Sequence, residues 1–255
     1  MLKSFKYKNL KIFYREGTTD EDVIDHSFEK DIFFKSIPDF KVVEHMTIID
    51  VGAHIGTFSL YAAVMSKNNK IISLEPNQDT FDLLKRNVDS NGLEKLIFPV
   101  RTALSDKDGT TKLYLGEDNW EHSITNDFNG QFEVVPTNSV ASIFERFSIE
   151  NCDLVKFNCE GAEFVSILSM PTSTLKKVKM MLILFHEDMV DGIYKKENLL
   201  DFLNKNSFIV RVVKLKGKRG WIIAKNKRYY SSLGNRLFLT KQNFFKQITQ
   251  LTSRL

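Results

Sequence analysis

The stretch that most constrains the fold of this chain is Ile48-Ile49-Asp50-Val51-Gly52-Ala53-His54-Ile55-Gly56-Thr57-Phe58-Ser59, an apolar β-branched run leading into a glycine-punctuated loop and then a helix-forming segment. Glycines at 52 and 56 let the backbone turn sharply and approach a ligand with no Cβ in the way. The alternation of strand and helix continues beyond it. Strands are predicted at 47–51, 70–74, 95–100, 154–159 and 178–186, and helices at 57–66, 78–91, 139–147 and 195–206. In the helix at 78–91, Phe81, Leu84 and Val88 keep helical spacing and Asn91-Gly92 supplies the stop. This is the pattern of βα units around a largely parallel sheet, an α/β Rossmann-like fold with helices on both faces. Two stretches depart from it. Residues 109–136 read as a β-rich excursion, and 207–214 with 220–225 flank a Gly- and Lys-rich turn at 216–219, as in an antiparallel hairpin.

With 255 residues, 42% of them hydrophobic, the chain can bury one substantial core. The expected division is an N-terminal cap (1–46), a central domain (47–225) and a basic C-terminal extension (226–255). The cap opens with an aromatic-rich alternation (Phe5, Tyr7, Leu10, Ile12, Tyr14), runs into a helix-like stretch at 19–34, and is expected to cover one end of the sheet. The first ten residues lack the apolar core of a secretory signal, and no run approaches the roughly 18 apolar residues of a membrane span, so a cytoplasmic protein is expected. Cys152 and Cys159 have no His or Cys neighbours at metal spacing; they read as buried reduced thiols, and no metal site is expected. Charge is uneven. From Asn206 to Leu255 there are twelve Lys and Arg and no Asp or Glu, so the first 205 residues carry a net −8 within an overall +4. Such a tail suits peripheral contact with an anionic surface, and equally a solvated positive face. Within it, Thr240–Leu255 reads as an amphipathic final helix.

The residues that carry chemistry cluster after the strands. A dinucleotide fingerprint would place glycines at 52, 54 and 57, but His54 and Thr57 stand at the last two, so a pyrophosphate is poorly served. S-adenosylmethionine has no pyrophosphate. Its amino-acid and ribose parts can pack on a loop built from Gly52, Ala53, His54, Gly56 and Thr57, with Asp50 ordering the loop or meeting the ammonium group. Twenty-five residues after Asp50, Glu75-Pro76-Asn77 places an acid at the end of the second strand, where it can accept both ribose hydroxyls. After the third strand, Ala103, Leu104 and Ser105 are expected beside adenine.

These segments, together with Lys156-Phe157-Asn158-Cys159-Glu160-Gly161-Ala162-Glu163, resemble the FkbM family of methyltransferases over roughly residues 19–225. The resemblance implies a seven-stranded methyltransferase sheet with a reversed last hairpin, S-adenosylmethionine as cofactor, and O-methylation of a sugar, glycan or other hydroxylated small molecule. The family pattern has Asp where this chain has Asn158, and often Glu where it has Leu184. An alcohol nucleophile benefits from a positioned base. His186, at the end of the fifth strand, is the expected base, with Glu160, Lys156 and Asn158 positioning the acceptor. Lys156 can instead pair with Glu160 or Glu163. Trp120, Ser123 and Glu163 are the expected acceptor contacts, Trp120 because an aromatic face suits a sugar ring. Two other readings stay open: a cofactor-binding protein without turnover, suggested by Asn158 and Leu184, and behind it a nucleic-acid methyltransferase, suggested by the basic tail but unsupported by any RNA-binding module.

Overall fold

The structure is a computed structural model that describes residues 1–190, 192, 194–214 and 217–230. The expected helix at 240–255, and the basic extension beyond residue 230, lie outside the described residues. The chain begins with a hairpin, β1 (Leu2–Tyr7) and β2 (Leu10–Arg15), followed by α1 (Asp20–Ile24), a π-helical turn (Asp25–Glu29) and α2 (Ile32–Ser36). The helix read at 19–34 is thus broken, and Asp31 sits in left-handed backbone between its halves. Alternating elements follow: β3 (Thr47–Val51), α3 (Thr57–Met65), β4 (Lys70–Leu74), α4 (Gln78–Ser90) and β5 (Ile97–Val100). The β-rich excursion is a three-stranded sheet of its own, made by β6 (Ala103–Leu104), β7 (Gly109–Tyr114) and β8 (Phe132–Asn138). Then come α5 (Val140–Arg146), β9 (Leu154–Phe157), α6 (Ala162–Leu168), α7 (Thr172–Leu175), β10 (Met180–His186), α8 (Lys196–Lys205), β11 (Phe208–Lys214) and β12 (Arg219–Asn226). β9 stops two residues earlier than expected because the chain turns left-handed at Glu160 and Gly161.

The main sheet has seven strands in the order β11-β12-β10-β9-β3-β4-β5. Pairings from β10 to β5 are parallel, and β12 runs antiparallel to both of its neighbours. Strand periodicity sorts its apolar residues onto two cores. Ile48, Ile71, Leu182 and Leu184 face one, shared with α3, α4 and the N-terminal segment; Ile49, Ile72, Ile183 and Phe185 face the other, shared with α5, α6 and α8. The cap packs on the face of the sheet that carries α3 and α4, and its Val23 and His26 reach the carboxyl end of the strands. Buried Asn87 of α4 fastens it, accepting from Phe13 N at 2.7 Å and donating to the carbonyls of Phe13 and Ile55. Among the described residues, no helix is long and apolar enough to cross a membrane.

Candidate active site

β3 lies between β4 and β9, and the chain leaves β3 toward one side and returns to β9 from the other, which opens a crevice at the carboxyl ends of the strands. A cleft occupies that place. Its floor is set by a lock between two strands. Asp50 and Lys156 are register partners in β3 and β9, so their side chains emerge side by side. The Lys156 ammonium lies 2.8 Å from Asp50 Oδ1 and 2.9 Å from the Gly52 carbonyl, and Ser59 donates to Asp50 Oδ2 at 2.7 Å. Both partners are buried. Lys156 pairs with Asp50 rather than with Glu160 or Glu163, and of the two roles expected for Asp50 the structure shows the ordering of the loop. Gly52, at φ 70°, closes tightly on the neighbouring strand: a Cβ there would come 1.8 Å from the Asn158 carbonyl oxygen.

Of the other expected cofactor residues, Gly52, His54, Glu75, Pro76, Ala103 and Leu104 line the cleft. Glu75 accepts the backbone N–H of His54 at 2.9 Å and of Asn77 at 3.0 Å, and burial pushes its pKa up to about 7. The remaining expected contacts have structural partners. Thr57 bonds Ser27 at 2.8 Å, Asn77 caps α4 through Thr80 N, and Ala53 is buried in the core behind the loop. At Gly56, which packs against Leu84, a Cβ would meet Cδ1 at 2.4 Å. Ser105 spends its N–H on the Asn138 carbonyl and its hydroxyl on Asp106 and does not line the cleft, whereas Thr102 does.

At the other end of the cleft stands a chain of ionisable groups. Glu163, fully buried, accepts from His186 N at 2.7 Å and from Gly161 N at 3.0 Å, and its Oε1 lies 3.2 Å from His186 Nδ1. His186 Nε2 is 3.3 Å from Glu160 Oε1, and Arg219 lies 3.9 Å from Glu160 Oε2 while bonding Asp188 at 2.9 Å. Burial alone would lower the pKa of His186, but Glu160 and Glu163 outweigh it and the net shift is upward. Burial pushes Glu160 up. His186 is 1% exposed with both ring nitrogens facing carboxylates, whereas Glu160 Oε2 has no hydrogen-bond partner. Glu163, expected to touch the acceptor, instead orients His186.

A lid drawn from the β7–β8 connection covers the cleft. Asn119, Trp120 and His122 line it, and Trp120 stacks on His26 of the N-terminal segment. Ser123, expected to contact the acceptor, is fully buried and donates to the Glu160 carbonyl at 2.6 Å. His54 and His122 also line the cleft, and burial pulls both down, His54 to about 4. Sequence reasoning missed Arg219, Val23, Thr102 and His122 as lining residues. For Arg219 a signal existed: antiparallel register of the last hairpin strand against β10 sets Arg219 opposite His186. Val23 comes from the cap, and nothing local to it points to a cleft. Among the described residues no group of three His, Cys, Asp or Glu is arranged to hold a metal ion.

Sheet order, reversed β12, glycine loop and strand-end acid together define the S-adenosylmethionine-dependent methyltransferase fold. Residues 50–210, more than half of the chain, match the methyltransferase FkbM domain, and the chain belongs to that family. Its cofactor is S-adenosylmethionine. A curated relative, the hexuronic acid methyltransferase AglP of Haloferax volcanii, is 27% identical over 139 residues; the match spans 54% of this chain and 54% of that protein, so the chain aligns with about half the length of this relative. Matching solved structures include a methyltransferase FkbM from Methylobacillus flagellatus KT (12% identity, 72% of this chain and 44% of that one, TM-score 0.49). Another is TrmK of M. capricolum in complex with S-adenosyl-homocysteine (14% identity, 89% and 86%, TM-score 0.46).

Proposed function

We propose that this chain transfers the methyl group of S-adenosylmethionine to a hydroxyl of a sugar, glycan or similarly hydroxylated small molecule. The observation that carries the reading is the Glu163–His186–Glu160 chain, which puts a carboxylate whose Oε2 has no hydrogen-bond donor in the same cleft as the glycine loop and Glu75. The cleft fits the cofactor on two counts. Glu75 offers a carboxylate already oriented by two backbone donors, and Asn158 Oδ1 is a buried acceptor with no partner, suited to an ammonium donor. Gly52, His54 and Pro76 would hold the amino-acid and ribose parts, and Thr102, Ala103 and Leu104 the adenine. When bound, the cofactor supplies an electrophilic methyl on a sulfonium, so the protein's main task is alignment.

Proton handling falls to Glu160. Its Oε2 takes the acceptor O–H proton as the new bond forms, and burial makes it a stronger base than an exposed carboxylate. His186, fixed by Glu163 at Nδ1, stabilises the Glu160 anion through Nε2, while Arg219 limits how far that carboxylate swings. This reading moves the base from His186 to Glu160 and keeps His186 as its support. Trp120 supplies an apolar plate of the kind that sugar rings pack against. The relative named a hexuronic acid methyltransferase supports a sugar acceptor, and Asn158-Cys159-Glu160-Gly161 lacks the Pro-Pro-aromatic element of many amine-directed enzymes.

The test is methyl transfer from radiolabelled S-adenosylmethionine to a panel of glycosides and uronic acids, with Glu160→Gln beside the wild type. Transfer to a hydroxyl that falls by about 10²-fold or more in the variant, with cofactor affinity intact, is the expected result. Cofactor binding without transfer to any acceptor, joined by gain of transfer in Asn158→Asp, would instead favour a binding protein without turnover.

A further inference from the structure

Glu160 holds a backbone conformation that a non-glycine residue keeps only when its surroundings enforce it: φ is 48° there and 101° at Gly161. The enforcement comes from the lid. Ser123 Oγ donates to the Glu160 carbonyl at 2.6 Å and accepts the N–H of Thr125 at 3.1 Å and of Asn126 at 3.2 Å. One donor and two lone pairs are thereby spent on backbone, leaving nothing for an acceptor molecule. Thr125 Oγ1 donates to the Met189 carbonyl at 2.8 Å, in the turn after β10 where Met189 N bonds back to the His186 carbonyl. Gly161 packs directly beneath it, since a Cβ there would lie 2.4 Å from Thr125 Oγ1. The 123–126 turn therefore ties the loop after β9, which carries Glu160, to the turn after β10, whose last residue is His186. Ser123 is also bridged to Tyr114 at the end of β7, so the turn is anchored on the excursion's own sheet.

We propose that Ser123 is a positioning residue acting through Glu160: together with Thr125 it clamps the Glu160–Gly161 backbone so that the Glu160 carboxylate stays on His186. Asn119, Trp120 and His122 lie immediately upstream in the same loop and line the cleft, so the clamp on Glu160 and part of the cleft wall belong to one segment. The consequence for catalysis rests on the proton-handling role proposed above, but the clamp itself is testable with no acceptor present.

The experiment is an NMR titration of the full chain with labelled histidine, whose five imidazoles make His186 assignable through a His186→Asn control. Three charged groups face that ring: Glu160, Glu163 and, through Glu160, Arg219. Wild-type His186 should titrate above the ordinary histidine range. Ser123→Ala and Thr125→Val should each lower its pKa by about one unit, as expected when an opposite charge within hydrogen-bond reach is let go, while thermal unfolding stays cooperative. Glu160→Gln should lower it at least as far, and adding Ser123→Ala to Glu160→Gln should change nothing further. Wild-type titration in both Ser123→Ala and Thr125→Val overturns the clamp, as does an undiminished effect of Ser123→Ala in the Glu160→Gln background. If Ser123→Ala does not fold, Thr125→Val, which keeps the side-chain shape, carries the test alone. Unimpaired methyl transfer by Glu160→Gln would overturn the proton-handling reading and leave the clamp standing, so the two failures are distinguishable.

Discussion

Lys156 and Asp50 show how one pair of charges can be worth more to a loop than to a reaction. Each is buried, and each is compensated chiefly by the other, with the Gly52 carbonyl and the Phe33 and Phe58 rings around Lys156 and the Ser59 hydroxyl on Asp50. Removing one partner leaves an uncompensated buried charge, so Lys156→Met should cost about 3–5 kcal/mol of stability in a denaturant melt. The double variant Asp50→Asn with Lys156→Met should cost less than the sum of the single changes. Glu75 makes a different prediction. Its folded-state pKa of about 7 lies above the ordinary carboxylate value because burial disfavours the charge. A raised folded pKa contributes stability that is full at pH values below the unfolded value and is lost as pH rises through about 7. The ribose hydroxyls need the ionised form, so cofactor affinity should run the other way, tightening roughly tenfold between pH 6 and 8 by calorimetry. Glu75→Gln should bind weakly at every pH and lose that slope.

At the scale of elements, two attachments matter. The N-terminal hairpin is held on α4 by Asn87, which serves Phe13 twice and Ile55 once, and by Asn91, which accepts from Lys11 N and donates to its carbonyl. Asn87→Ala should leave those backbone groups unpaired and destabilise the protein by roughly 1–3 kcal/mol. Amide hydrogen exchange at residues 10–15 should then accelerate more than in β3, β4 or β9, because the cap would open before the sheet does. Equal acceleration throughout would mean that cap and sheet unfold as one unit. The second attachment is β12, reversed between β11 and β10 so that its first residue, Arg219, lands beside His186. A parallel strand in that position would have delivered its N-terminal residue to the opposite edge of the sheet, far from the cleft.

Across the whole molecule, the cleft gathers residues from the cap, the glycine loop, the ends of β4, β5, β9 and β10, the lid and the last hairpin. A ligand that fills it touches every layer of the fold, so S-adenosylmethionine at 100 times its dissociation constant should add about 2.7 kcal/mol to stability, measured as a rise in Tm, and Glu75→Ala should abolish the rise. Legibility in the sequence followed the range of the interaction. The βα alternation, the glycine loop, the acid at the end of β4 and the reversed hairpin could all be read because each is a local pattern of apolar spacing, turn residues and short linkage. The roles within the site could not. Lys156 pairs with a residue 106 positions away, Ser123 with one 37 away, and Glu163 with one 23 away. Which carboxylate meets which base depends on strand register and on how a lid folds back over two strand ends. The sequence by itself determined the sheet, its loop and the kind of ligand the loop can hold; only the tertiary structure decided that Lys156 serves the loop, that Glu163 and Ser123 serve their neighbours, and that Glu160 Oε2 is left without a hydrogen-bond donor, because those outcomes are set by contacts between segments that local periodicity does not encode.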